Sequence, residues 1–419
     1  MRKIYHANFI NPKSDTKADY FENSLLVVED SKIVEIVDYS NYTGETKDIV
    51  KLQDSDGLLT VMPAFCDTHF HWVQDPVSDM DKENLLAWLE QYVFPEERKF
   101  EDLDYAKAKA EFFFNKLKRS GTFYGAMYAS IHDNSVVEAF NSSVGDFLIG
   151  NVVMTDNSPE FLKRDLSYYD GLLTNMYQKF GKNYVVTPRF ALSCNPKIMT
   201  FLGDFAKKHD LYMQTHLSET INEINITRDY YQSFDQYKDK QYDYMDLYDD
   251  CGLVHEKAIF GHCIHLTDHE LDLFESSKAK IAHCPTSNAP IKERGLGSGL
   301  LDYTVLDQRG IDWALASDIG AGPYISMFDV MKSFVDQHTA VGRDTDSVRA
   351  LYRSTKHATE MLGMKSKGAL DPEYSADFIC LPSAKKSNAK DILDDILALP
   401  RDSFNELIVS AYYQGQKVF

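Results

Sequence analysis

The sequence predicts an α/β fold: a (β/α)8 TIM-type barrel with a small β-sandwich domain built from both chain termini. Three observations lead there. The chain has 419 residues, too many for one small domain and enough for a large barrel with an appendage. Between about residues 58 and 365, eight short apolar or β-branched runs alternate with longer helical stretches. That is the pattern of strand–helix units around a parallel sheet, and a count of eight favours ring closure. Short β segments bounded by polar turns occupy both ends of the chain, so the termini are expected to build one β domain with the barrel inserted between them.

In chain order, segments 4–9, 24–28 and 32–37 read as N-terminal strands, and 377–381, 406–411 and 414–419 as their C-terminal counterparts. The expected division is 1–57 plus 370–419 for the composite β domain and 58–369 for the barrel. The barrel strands are expected at 61–71, 122–128, 147–154, 184–193, 212–216, 258–266, 279–284 and 311–317, with helices such as 103–119, 198–209 and 268–276 between them. Segment 227–250, rich in Tyr and Asp, reads as an exposed polar helix with a tyrosine stripe. Segment 389–399 has helical apolar spacing and is expected to pack on the core.

Composition is that of an ordinary globular chain, with 44% hydrophobic and 26% charged residues. A net charge of −20 with no Lys/Arg block argues against a phosphate backbone as partner. The six cysteines are dispersed with no Cys-x-x-Cys, which points to a reducing compartment rather than a disulfide framework. The first residues lack the long apolar core of a signal peptide. No stretch approaches the ~18 apolar residues of a membrane span. A cytoplasmic protein with no membrane partner is the expectation.

The chemistry starts at Cys66-Asp67-Thr68-His69-Phe70-His71, which follows the apolar run 58–65. In a strand, residues i and i+2 share a face. His69 and His71 therefore project side by side from the end of a buried strand, a pairing suited to zinc or iron. Three further signals fall at expected strand ends: His216 on strand five, His262 on strand six and Asp318 after strand eight. Reactive groups of such barrels collect at that rim. Four buried histidines and a carboxylate there would otherwise each need a separate partner. Glu219 lies three residues beyond His216, within reach of a metal-bound water. His265 and His283 read as structural or supporting groups rather than ligands.

These motifs, together with Gly261-His262-Cys263 and His283-Cys284-Pro285-Thr286-Ser287-Asn288, resemble the amidohydrolase superfamily, in particular its branch of mononuclear deaminases and chlorohydrolases. The likeness runs through nearly the whole chain in the family's order. Closer features are similar to the guanine deaminase family: His71-Trp72-Val73-Gln74, Leu85-Leu86-Ala87-Trp88-Leu89 through Tyr92-Val93-Phe94-Pro95-Glu96-Glu97-Arg98, Ala129-Ser130-Ile131-His132, and Thr187-Pro188-Arg189-Phe190. The run Asp318-Ile319-Gly320-Ala321-Gly322-Pro323 departs from that family's usual sequence after the aspartate.

The resemblance implies a site and a reaction. One Zn²⁺ per subunit, with Fe²⁺ the other candidate, is held by His69, His71, His216 and Asp318. Strand four carries no lysine of the kind that two-metal relatives modify, which favours one metal. Gln74, Arg189, Phe190 and His262 line a purine site, and Glu219, Asp318 and His262 serve the chemistry. The implied reaction is hydrolytic deamination of guanine to xanthine and ammonia: a metal-activated water attacks C2 and Glu219 shuttles protons. The other readings are a related deaminase or chlorohydrolase acting on 8-oxoguanine, a pterin or a triazine, and a non-catalytic scaffold. The family further implies a small-molecule purine partner, a homodimer and a place in purine catabolism.

Overall fold

The computed structural model describes residues 2–289 and 294–419. Met1, at the start of the expected small domain, and residues 290–293, inside the expected barrel span, lie outside the described residues. The barrel strands are β1 (Phe65–Phe70), β2 (Thr122–Ala129), β3 (Asp146–Val153), β4 (Thr187–Pro188), β5 (Met213–Leu217), β6 (Ala258–His262), β7 (Lys280–His283) and β8 (Trp313–Leu315). They pair in parallel as two four-stranded sheets, β1 to β4 and β5 to β8. Backbone bonds join the two sheets on both sides. Val186 N–H donates to Tyr212 O at 3.0 Å and Gln214 N–H to Val186 O at 2.9 Å. Opposite, Asp318 N–H donates to His69 O at 2.9 Å and His71 N–H to Ile319 O at 3.1 Å. This second seam sits at the rim, where β1 and β8 deliver His69, His71 and Asp318.

Helices cover the strands for reasons legible in their sequences. In Leu103–Arg119 the buried residues are Ala106, Ala110, Phe113, Phe114 and Leu117, one helical face. Asp102 caps the start by accepting from Tyr105 N–H at 2.8 Å, and Lys116, Lys118 and Arg119 complement the dipole at the end. The next turn needs Gly121, whose φ is +75° and where a Cβ would lie 2.7 Å from Ile379.

Both chain ends build a separate eight-stranded sheet from Arg2–Ser14, Lys17–Glu29, Lys32–Asp38, Ile49–Lys51, Thr60–Pro63, Phe378–Leu381, Ser410–Tyr413 and Gln416–Lys417. Strand alternation sends Tyr5, Ala7 and Phe9 into one apolar cluster with Val61 and Phe378, and Ile4 into another with Leu25 and Val27.

Four local expectations change. The apolar run 61–71 is two strands: Thr60–Pro63 pairs antiparallel with Phe378–Leu381 in the terminal sheet, and β1 begins at Phe65. Both halves are fully buried, so hydrophobicity carries no mark of the switch. Expected strand 184–193 shrinks to Thr187–Pro188, followed by a 3₁₀ turn at Ala191–Ser193. Pro188 has no N–H with which to extend the ladder. Segment 406–411 begins as the helix Phe404–Leu407, and its strand starts only at Ser410. The tyrosine-rich segment is not an exposed helix. Helix Ile221–Tyr231 gives way to turns and the short helix Asp246–Asp249, and Tyr231, Tyr237, Tyr244 and Tyr248 are buried. Their spacing follows no single stripe, because irregular chain folds each ring inward. Tyr248 OH accepts from Ala191 N–H at 2.8 Å and donates to His216 O at 2.9 Å, bracing the end of β5. The helix Ala389–Leu397 does bury its apolar face, as expected.

His283, on β7, turns away from the rim histidines to His338, with their Nε2 atoms 2.9 Å apart, and Arg343 donates to His338 Nδ1 at 3.1 Å. Burial, then the nearby Arg343 charge, pushes His338 down to about 3. Burial and His338 likewise hold His283 well below the usual range. In the unfolded chain each titrates near 6.5. Between that value and about 3 the unfolded state therefore binds more protons than the folded state does at His338. Stability is fully present above 6.5 and falls as pH drops, by up to ~1.4 kcal/mol per pH unit for one such group. We predict that His338→Gln flattens the acid side of a denaturant-midpoint titration by about one proton. An unchanged slope would refute this.

Candidate active site

The rim brings together His69, His71, His216, Glu219, His262 and Asp318, whereas His283 faces away towards His338. His69 Nε2 lies 3.3 Å and His71 Nε2 3.7 Å from Asp318 Oδ1. His71 Nε2 and His216 Nε2 are 3.0 Å apart. The His69 ring centre is 5.2, 4.8 and 5.1 Å from those of His71, His216 and His262. His262 Nε2 faces Glu219 Oε2 at 3.7 Å. All of these groups are buried apart from part of His216.

The backbone at the strand ends is shaped to make this cluster. Ser218, His262, Cys263 and Asp318 have φ of +51°, +71°, +53° and +49°. Non-glycine residues adopt this left-handed region at a cost, and such positions collect at functional sites. Gly261, just before His262, is required by close approach, since a Cβ there would lie 2.6 Å from His69 Cε1. Glu219 is set by the helix that follows β5. Glu223 Oε2 accepts from Glu219 N–H at 3.0 Å and Thr220 N–H at 3.3 Å, while Thr220 caps Glu223 N–H.

The electrostatics keep the rim histidines neutral. Burial lowers His69, and burial followed by the neighbouring rings holds His71 and His216 well below the usual range. Neutral imidazole is the form that offers a lone pair to a metal. His216 Nδ1–H donates to Arg189 O at 2.6 Å, which leaves its Nε2 for a ligand. His262 goes the other way: burial disfavours its charge, but Glu219, Asp318 and Asn288 outweigh burial and raise it. Burial also opposes ionisation of Asp318, yet the hydrogen bond from His69 and the His262 and His69 charges hold it low. Burial pushes Glu219 up to about 7.

These donors suit a divalent cation. Among the described residues, His69 Nδ1 and Asp318 Oδ2 are buried without a hydrogen-bond partner, and His69 Nε2 faces Asp318 Oδ1 at 3.3 Å. Unpartnered buried nitrogens and carboxylate oxygens are rare without an ion or water to satisfy them. Ligand atoms of His69, His71 and Asp318 lie within 4.8 Å of one another, and so do those of His69, His216 and His262.

Beside the cluster opens a small cleft lined by Gln74, Arg189 and Phe190 together with Leu85, Trp88 and Leu89. Two residues without an assigned role in the sequence reading organise it. Glu97, fully buried, accepts from Gln74 Nε2 at 2.9 Å and from Arg189 Nη1 at 2.8 and 2.9 Å. The Arg189 guanidinium also stacks on Phe94, 5.3 Å from the ring centre. Removing one partner of such a buried pair strands the other charge, at a cost of about 3–5 kcal/mol. Asn288 bridges His262 and Glu219. Glu97 sits in a segment already resembling a family motif, and its placement beside the π turn Leu89–Val93 is the only further local signal.

The amidohydrolase family model matches residues 60–403. The chain belongs to the amidohydrolase family. It is 28% identical over 98% of its length to guanine deaminase of Escherichia coli K12, of which it covers 94%. It is 31% identical to guanine deaminase of Mus musculus, over 73% of this chain and 68% of that one. The crystal structure of guanine deaminase from C. acetobutylicum with guanine bound in its active site superposes with a TM-score of 0.86, at 27% identity and full coverage of both chains. Within the amidohydrolases, the chain falls among the guanine deaminases.

Proposed function

We propose that this chain hydrolyses guanine to xanthine and ammonia in the cleft, with one Zn²⁺ per subunit, Fe²⁺ being the other candidate, held by His69, His71, His216 and Asp318. The observation that carries the reading is the convergence of the buried ligand atoms of His69, His71 and Asp318 with the buried carboxyl of Glu219 in the cleft lined by Gln74, Arg189 and Phe190. A bound divalent cation supplies Lewis acidity, lowering the pKa of water from ~15.7 to ~7.

The chain's own groups do the rest. Asp318 accepts a proton from the attacking water as its oxygen adds to C2. Glu219 donates a proton to ring N3, which keeps charge from building on the purine. Asp318 returns its proton to Glu219, which passes it to the exocyclic nitrogen, and Glu219 regains its own from the C2 hydroxyl as the C2–N bond breaks and the carbonyl forms, so that ammonia rather than amide ion departs. Water and guanine thereby become xanthine and ammonia in balance. His262 holds its Nε2 towards Glu219 and the reacting face.

Recognition uses donors and walls. Arg189 is a donor-only fork, suited to the purine carbonyl. Its pairing with Glu97 cancels net charge, so the fork presents directed N–H groups to a neutral base. The carboxamide of Gln74 complements the lactam edge, and Phe190 with Leu85 and Trp88 walls the ring. A donor at position 6, as in adenine, would meet Arg189 donor to donor, and mismatches of that kind discriminate by up to ~10⁴–10⁵.

Ammonia release from guanine, adenine, cytosine, 8-oxoguanine and a chlorotriazine, with metal-replete protein, tests the reading. Turnover of guanine alone is expected; silence on guanine with turnover of another substrate overturns it. On the family resemblance we extend the proposal to a cytoplasmic homodimer serving purine catabolism. A single-chain mass in sedimentation would remove the dimer.

A further inference from the structure

Asn288 closes the short helix Pro285–Asn288 after β7, and its backbone carbonyl accepts from Gly299 N–H at 2.8 Å. Every polar atom of its buried carboxamide is committed. Oδ1 accepts from His262 Nδ1–H at 2.9 Å. Nδ2 donates to Glu219 Oε1 at 2.9 Å and to Ser298 Oγ at 3.0 Å. The orientation is fixed from both sides: turning the amide over would set its oxygen against the Glu219 carboxylate and its N–H against the His262 N–H.

We infer that Asn288 is the positioning residue of the proton relay, pinning Glu219 Oε1 as an acceptor and leaving Oε2 as the oxygen that carries the transferred proton. The inference rests on the proposed deamination and deepens it. An amide N–H can only donate, so Oε1 is held as an acceptor and its Asn288 bond is strongest when that oxygen carries no proton. Oε2 faces His262 Nε2 at 3.7 Å. The same carboxamide fixes the proton of neutral His262 on Nδ1, which directs the Nε2 lone pair towards Glu219. One side chain thereby sets both members of the relay, each almost wholly buried.

The charged and titratable groups around Glu219 leave Asn288 a distinct task. Asp318 and Glu223 disfavour its ionised form, and His262 favours it. Glu223 Oε2 is already committed to the backbone N–H groups of Glu219 and Thr220. Asn288 is the side chain whose neutral donor stabilises the ionised carboxylate as the proton leaves.

Two variants separate its two links. Asn288→Ala removes both. Asn288→Asp keeps an acceptor for His262 Nδ1–H but replaces the donor to Glu219 with an acceptor. Both are expected to lower kcat on guanine by about 10- to 100-fold, the range for losing one hydrogen bond to a charged group. KM should stay within about threefold, since a group acting on the transition state moves kcat. Metal content and melting temperature are expected to match wild type, and the neutral-pH limb of the Asn288→Ala profile is expected to move to higher pH. Asn288→Asp turning over at the wild-type kcat overturns the assignment, as does activity lost only in step with metal or fold. Were wild type itself silent on guanine, the deaminase reading would fall and this role with it; an active wild type with unaffected variants would sink the Asn288 role alone.

Discussion

Glu219→Gln is expected to fold, to keep its metal and to lose about 10²–10⁴-fold in kcat on guanine, the usual contribution of general acid–base catalysis. The substitution keeps size and burial but removes the carboxyl that the proposed mechanism uses to give a proton to N3 and then to the leaving nitrogen. Deamination is especially sensitive to this loss, because an unprotonated amine does not depart. Burial raises Glu219 to about 7, so near neutrality both its acid and its base forms are populated, as a group that alternately donates and accepts requires. The sign of the pH dependence follows. The first step needs the protonated form, so kcat/KM is expected to fall as pH rises through about 7. That limb should vanish in the Gln variant, whose residual rate has no carboxyl to titrate. Steady-state ammonia release across pH, paired with metal analysis, reads both effects. A variant within tenfold of wild type, or one keeping the same limb, would move the shuttle to another residue.

The rim was legible in the sequence because its chemistry is local. His69 and His71 alternate on one strand, and His216, His262 and Asp318 each close a short apolar run, so strand geometry alone sends them to one edge. What escaped notice depends on contacts between distant segments. Glu97 lies on a helix after β1 yet bonds Arg189 at the end of β4, while the adjacent Glu96, in the same motif, bonds Lys99 and Tyr105 instead. Asn288 bonds Glu219 across 69 positions. The division of the apolar run between Thr60–Pro63 and β1 was hidden for a different reason. Pattern reading detects burial, and both halves are buried in different sheets. Aromatic residues among aspartates in 227–250 look like a wet surface, whereas Tyr231, Tyr237, Tyr244 and Tyr248 are buried, and the hydroxyls of Tyr231 and Tyr248 cap Cys194 O and His216 O.

Loss of the metal is expected to have an effect at least as large. Of the proposed ligands His69 is the one to remove, because its ring stands against those of His71, His216 and His262 and its Nε2 faces Asp318 Oδ1 at 3.3 Å. His69→Ala is predicted to purify with little metal and no measurable guanine turnover. Losing a mere supporting group of a metal site costs 10–100-fold in affinity, so losing a direct ligand costs more than ~10²-fold. Chelation of the wild-type protein should abolish activity in the same way but reversibly, with Zn²⁺ restoring it, whereas the variant should stay silent at any added metal. Stability separates the two cases further. A ligand at 1,000 times its Kd stabilises the folded chain by ≈ 4.1 kcal/mol, so chelated wild type should melt well below the loaded protein. His69→Ala should show little metal-dependent shift, since the site that couples metal to folding is gone. A fully loaded His69→Ala protein would place the metal on a different ligand set. Among the described residues the next candidate is the group of His262, Cys284 and Asp318. That outcome is disfavoured in advance, because burial holds the Cys284 thiol well above its usual range and a thiol kept protonated is a poor ligand.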